Sequence, residues 1–249
     1  MRIIICISNV PDTTTKIRLT ADGQSLDLAG AQWIINPWDE LALTRALELR
    51  DAQPTLVTQV TVVTVGTAVT ESTLRKALAV GADDAIRIDA EATDAFSVAS
   101  NLAETLRNEP CDIILCGIES SDYNGSAVGG MLAELLGIPS VSSVSSLAIE
   151  AGNVSLTREI DGGKETIAIS GCFVAIVQKG IAIVPRIPSM RGIMTARTKP
   201  LKVIPTKISE ALTRIKGYGL PAPKASCHMV QADNMKELVR LLHEEAKVL

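Results

Sequence analysis

Short, nearly continuous apolar runs alternate along the chain with segments whose apolar positions recur three and four residues apart. Ile3–Ile7, Val57–Val65, Ala85–Ile88 and Ile113–Cys116 have the pattern of strands buried on both faces. Between them, Trp38–Arg50 brings Leu41, Ala42, Ala46 and Leu49 near one face of a helix. Glu71–Val80 aligns Leu74, Ala77 and Leu78 and stops at Gly81, and Ala95–Arg107 aligns Val98, Ala99, Leu102 and Leu106. Val128–Leu136 presents Val128, Met131, Leu132, Leu135 and Leu136 at helical spacing. Strand–helix alternation of this kind predicts an α/β fold, a doubly wound, mostly parallel sheet with helices on both faces.

Two turn signals add antiparallel hairpins to that sheet. Ala21-Asp22-Gly23-Gln24 separates short alternating strands within Ile17–Asp27, and Asp161-Gly162-Gly163 separates Val154–Glu159 from Thr166–Ile169. The alternation ends after Ile204, which gives an α/β domain over residues 1–204 and a C-terminal linker and helical arm over 205–249. Leu220-Pro221-Ala222-Pro223 reads as extended linker and Asn234–Leu249 as a terminal helix. Asn234 and Glu237 suggest a capping box there, and Met235, Leu238, Val239 and Leu242 form its apolar stripe. Such an arm can fold onto its own domain or reach a partner.

Composition narrows the class. The 249 residues are 47% hydrophobic but only 2% aromatic, so a sizeable interior must be built from Leu, Ile, Val and Ala. A net charge of -4 without a Lys/Arg-dense block speaks against nucleic acid. No apolar run reaches the roughly 18 residues that span a bilayer, so no membrane insertion is expected. Met1–Ser8 is too short for a signal peptide and reads as a first strand. Five cysteines without a CxxC spacing read as reduced thiols of a cytoplasmic protein, with no metal site.

Candidate chemistry collects at the carboxyl ends of strands, where open α/β sheets bind ligands. The richest such edge is Gly117-Ile118-Glu119-Ser120-Ser121-Asp122-Tyr123-Asn124-Gly125-Ser126-Ala127-Val128-Gly129-Gly130, within which the Val128 helix begins. Small residues admit a ligand close to the backbone, and free N–H groups at a helix start attract phosphate. A flexible turn with an ordinary helix cap has the same composition. Val63-Thr64-Val65-Gly66-Thr67 and Ile34-Ile35-Asn36-Pro37-Trp38-Asp39 end two further strands in small or polar residues. Asn36 or Asp39 is placed there to cap a helix or contact a ligand.

No GxxxxGK[ST] or strand-bound GxGxxG occurs, and both histidines, His228 and His243, lie in the C-terminal tail. The expectation is a binding protein without catalytic residues, with a free-standing adenine-nucleotide enzyme and a stand-alone AMP-binding protein as the alternative readings. Lys199, Lys202 and Lys207 read as a solvated face. Pro185-Arg186-Ile187-Pro188-Ser189-Met190-Arg191-Gly192-Ile193-Met194 reads as a loop, because its two prolines disfavour a simple strand or helix. Its apolar character suits either packing on its own core or docking.

Together these segments resemble the beta subunit of electron transfer flavoproteins. Arg158-Glu159-Ile160-Asp161-Gly162-Gly163-Lys164-Glu165-Thr166 is close to that family's signature. Val10-Pro11-Asp12, Lys16-Ile17-Arg18, Ile35-Asn36-Pro37, Leu74–Asp83 and Pro185-Arg186 leading to Ile193-Met194 support it. The resemblance implies a heterodimer with a larger alpha subunit that carries most contacts to a redox FAD. It implies a structural AMP in this chain, or a second FAD in its place in the bifurcating branch. Nucleotide contacts are implied at Cys6, Asn36, Pro37, Trp38, Asp39, Val65, Gly117 and Ser121, and along Asp122, Tyr123, Asn124, Gly125, Ser126, Ala127 and Val128.

The family's recognition loop, which docks flavin dehydrogenases, is implied at Arg186, Ile187, Pro188, Ser189, Met190, Arg191, Gly192, Ile193, Met194 and Thr195, with Met190 as the apolar anchor. Electrons are then expected to pass to a quinone oxidoreductase, in a role serving fatty acid oxidation, and the terminal helix to embrace the alpha subunit. Two departures stand out. Ala127 replaces the usual Gln before the helix and Tyr123 a small or acidic residue, which leaves backbone contacts as the expected hold on the nucleotide. Met190 and Arg191 stand where Leu-Pro is common, which implies a different dehydrogenase.

Overall fold

A computed structural model describes residues 1–206, 210–224 and 226–249. Lys207, Ile208, Ser209 and Ala225 therefore fall outside the described residues. The first strand, β1 (Arg2–Cys6), is followed by the short β2 (Asn9–Pro11) and β3 (Trp33–Ile35), which pair antiparallel away from the main sheet. Strands and helices then alternate as α1 (Pro37–Ala52), β4 (Gln59–Val65), α2 (Glu71–Val80), β5 (Asp84–Asp89), α3 (Ala95–Leu106), β6 (Ile113–Gly117) and α4 (Val128–Leu136). The chain continues through β7 (Ser140–Glu150), β8 (Asn153–Ile160), β9 (Gly163–Ile169), β10 (Phe173–Val177), α5 (Met190–Ala196), β11 (Leu201–Pro205) and α6 (Met235–Arg240).

The main sheet has nine strands in the order β11-β5-β4-β1-β6-β10-β7-β8-β9. Every pair from β11 to β7 is parallel, and β7-β8 and β8-β9 are antiparallel. The mostly parallel sheet and the hairpin around Asp161-Gly162-Gly163 are thus as the sequence predicts. Because successive strand residues point to opposite faces, Ile3, Ile5 and Ile7 pack with Leu43 and Leu47 of α1 and Leu74 and Leu78 of α2. Ile4 and Cys6 pack on the other face with Leu102 and Leu106 of α3 and Leu132 of α4. One central strand therefore feeds both cores, which is what its unbroken apolar run requires.

Several expectations need correction. Ile17–Asp27 forms one isolated bridge, Leu19 to Leu26, instead of two strands; none of its residues is buried, so little packing supports a longer ladder. Strand β10 is inserted between β6 and β7, and β11 extends the far edge; neither is apparent from the alternation. The segment read as a loop around Pro185 and Pro188 contains α5, which begins after both prolines with Ser189 as its N-cap. Lys199 is not on a solvated face: its partly buried ammonium donates to the carbonyls of Leu78 and Ala82 at the end of α2, and desolvation lowers its pKa. The terminal helix is shorter than Asn234–Leu249. It comprises α6 and a wider turn over Leu241–Glu245, and none of its residues is buried. Asn234 caps it, but Glu237 turns to Arg240 and leaves the capping box half made.

Candidate functional site

In chain order the strands are laid down outward from β1 on one side, to β4 and β5, before the chain returns to add β6 on the other side. The crevice beyond the carboxyl ends of β1 and β6 is therefore a topological switch point, the place where such sheets bind ligands. Asp39, in the first turn of α1, bridges it. The Ser8 N–H donates to its Oδ2 at 2.8 Å and the Gly117 N–H to its Oδ1 at 2.9 Å. Burial pushes the pKa of this carboxyl up to about 7, against the lowering effect of those donors.

Asn36, also buried, occupies the N-cap position of α1, yet its side chain makes no cap bond. Its Nδ2 donates to the Glu119 carbonyl at 2.8 Å and its Oδ1 accepts from the Ser121 N–H at 3.1 Å. The two polar residues after β3 thus hold the turn after β6 in shape. Gly117 is required for this closeness: a Cβ there would lie 2.3 Å from Asp39 Oδ1 and 2.7 Å from Trp38 Cβ.

Beyond Ser121 the turn becomes open. Asp122, Tyr123, Asn124, Gly125 and Ser126 are exposed, and Asn124 and Ser126 adopt φ of 50° and 47°. Helix α4 follows with Ala127 at its N-cap and no side-chain cap. The N–H groups of its first turn have no intrahelical partner and add up to a partial positive charge. Gly125 and Gly130 have nothing within 4 Å of a notional Cβ, so a ligand can meet backbone there. Gly129 faces the other way and is packed, with a notional Cβ only 2.7 Å from Ile176 Cγ1. A small anionic group therefore fits a cradle of backbone dipoles, fixed behind by Asn36 and Asp39.

Cys6 and Val65 are buried at the carboxyl ends of β1 and β4. A hydrogen bond with Cys116, together with burial, raises the Cys6 thiol far above its ordinary range. The C-terminal segment supplies contacts that sequence reasoning missed. Asp94, the N-cap of α3, accepts from the Leu212 and Thr213 N–H groups at 2.9 and 2.8 Å. Tyr218 lies near Tyr123, whose pKa is pushed up to about 12 by desolvation first and by that neighbour second. The segment after β11 therefore runs past the carboxyl edge of the sheet. No local motif marks Tyr218 for this; only the exposed Tyr123 was visible.

A family model described as the electron transfer flavoprotein domain matches residues 25–209. The chain belongs to the electron transfer flavoprotein family. It is 35% identical over 228 residues to an electron transfer flavoprotein subunit beta of Syntrophomonas wolfei, covering 91% of this chain and 88% of that one. The subunit beta of Bradyrhizobium diazoefficiens is 32% identical over the full length of both. The acryloyl-CoA reductase electron transfer subunit gamma of Anaerotignum propionicum is 34% identical, covering 82% of this chain and 77% of its own.

A second surface of this flavoprotein-family chain lies apart from the crevice. Arg186 is fixed at both ends, its N–H donating to Thr44 Oγ1 at 2.9 Å and its guanidinium pairing with Asp51 at 2.6 Å. Ser189 Oγ caps α5 by accepting from the Gly192 N–H at 3.0 Å. Gly192 lets α5 approach α2, since a Cβ there would stand 2.3 Å from the Ala79 carbonyl oxygen. Around these anchors Ile187 is 84%, Met190 77% and Met194 72% exposed. Apolar side chains held out on a fixed backbone form a patch suited to contact with another protein. Among the described residues no helix is long and apolar enough to cross a membrane, and no group of three His, Cys, Asp or Glu is placed to hold a metal.

Proposed function

We propose that this chain is the beta subunit of a heterodimeric electron transfer flavoprotein that carries electrons from flavin dehydrogenases toward a quinone oxidoreductase in the cytoplasm. The observation that carries the reading is the crevice between β1 and β6, where a fixed backbone cradle opens at Gly125 and Gly130. In this reading AMP is a structural nucleotide. Its phosphate would meet the uncapped start of α4, with Asn36 and Asp39 holding the cradle and Cys6, Val65 and Trp38 bounding the base side. Absence of a Gln side chain at Ala127 leaves the backbone as the main hold.

FAD, held chiefly by the alpha subunit, supplies the electron-carrying chemistry when bound. This chain's residues do the positioning: Arg186–Thr195 would dock the dehydrogenase, with Met190 entering its surface, and the segment 205–249 would embrace the alpha subunit. The exposure of Met190, Met194 and the apolar positions Met235 and Val239 of α6 supports both roles. The Anaerotignum relative, whose name ties it to acryloyl-CoA reductase, supports an acyl-CoA enzyme as the docking partner. Because a nucleotide that binds only the native state stabilises it, AMP would also firm the fold.

The test is the nucleotide inventory of the purified heterodimer. One FAD and one AMP are expected; two FAD would assign the bifurcating type, and no adenine compound would overturn the site. Met190→Ala is expected to slow reduction by the dehydrogenase about tenfold, an interface loss near 1.4 kcal/mol. Its FAD content should stay intact, and loss of FAD would refute the docking role.

A further inference from the structure

Cys111 and Cys172 play no part in the crevice. Cys111 stands two residues before β6 and Cys172 one before β10, two strands paired in parallel with Ile113 opposite Phe173. Their sulfurs are 3.1 Å apart, about 1 Å beyond a disulfide bond of roughly 2.05 Å. Both side chains are partly exposed. The other three cysteines differ: Cys6 and Cys116 are buried, and Cys227 is exposed with Met229 as its sulfur neighbour.

We propose that Cys111 and Cys172 form a dithiol–disulfide couple, which staples β6 to β10 when a low-molecular-weight disulfide oxidises the chain. This inference does not rest on the proposed function. Cys111 is the attacking group. A hydrogen bond from the Cys172 thiol, helped weakly by the Arg2 guanidinium, holds its pKa below the ordinary thiol range, while Cys172 is raised. Thiolate is the reactive form. Cys111 sulfur attacks the small disulfide RSSR, forming a mixed disulfide and releasing one thiolate. Cys172 then gives up its proton, and its sulfur displaces the second thiolate from Cys111. The sum is a protein dithiol plus RSSR giving a protein disulfide plus two RSH.

The staple sits at the amino ends of β6 and β10, opposite the crevice beyond Gly117. It joins residues 61 positions apart and encloses the site turn, α4 and the β7–β9 extension. Closing so long a loop restricts the unfolded chain and raises the unfolding midpoint by roughly 10 °C.

The purified full-length protein, with any subunit that accompanies it, is incubated with oxidised glutathione. Free thiols are then alkylated, and the protein is digested without reduction for mass spectrometry. The expected result is a Cys111–Cys172 linked peptide, a mass loss of two hydrogens and the higher midpoint. Cys172→Ser should retain one glutathione on Cys111. Both cysteines remaining free, each carrying its own glutathione, or a linked protein with an unchanged midpoint would overturn the proposal. The wild-type measurements decide it even where the variant fails to fold.

Discussion

Asp39 surrenders the hydration of its carboxylate to hold Ser8 and Gly117 together, and its ionisation is correspondingly disfavoured. Its folded pKa of about 7 lies above the ordinary 3.8, so the folded state binds the proton more tightly. The associated stability is fully present below about pH 4 and is lost as pH rises through 7. In Asp39→Asn one of the two backbone donors loses its acceptor, a cost of about 1–3 kcal/mol. Urea unfolding should therefore find wild type more stable than the variant at pH 5, with a narrower gap at pH 8. A gap that stays constant would mean that Asp39 titrates as an ordinary carboxylate. Sequence showed that Asn36 and Asp39 follow a Pro-fixed bend near a strand end. It did not show that both are occupied by backbone groups, because those partners lie far along the chain, 31 positions away at Ser8 and 78 to 85 away at Gly117, Glu119 and Ser121.

At the scale of elements, periodicity served well where a segment packs on one face and poorly where neighbours decide. Helix α4 begins and ends where its spacing predicts, but Met131 is exposed while Gly129 is buried against Ile176. The missing side chain at Gly129 is a packing choice that a hydrophobic pattern does not record. Gly129→Ala should push α4 off β10, cost about 1–3 kcal/mol as an overpacked contact, and lower the nucleotide content of the purified protein. Denaturant unfolding and nucleotide extraction check the two effects separately. Helix α5 was hidden by its two prolines, although Ser189 and the absence of proline after it supply the local signal for a capped helix. Strand β10 was hidden because its parallel partners are far away in sequence.

For the whole molecule, the nine-stranded sheet carries a core on each face, while the segment beyond β11 touches the domain at Asp94 and ends in a helix that buries nothing. Ending the chain at Pro205 leaves every strand complete. Such a chain should show the circular dichroism of the folded sheet yet elute without the alpha subunit in gel filtration; retention of that subunit would refute the arm's role. The fold class was readable because each strand–helix unit is local, whereas the path of the tail depends on contacts more than a hundred residues apart. The insertion of β10 between β6 and β7 has a consequence for synthesis. As the ribosome releases the chain, β1, β4, β5 and β6 can assemble early, but the outer edge of β6 stays unpaired until Val177 has emerged. Throughout that interval the nascent protein carries an open apolar strand edge, the kind of surface that recruits unintended strands. Pairing with β10 closes that edge, and the finished sheet keeps edges only at β9 and β11.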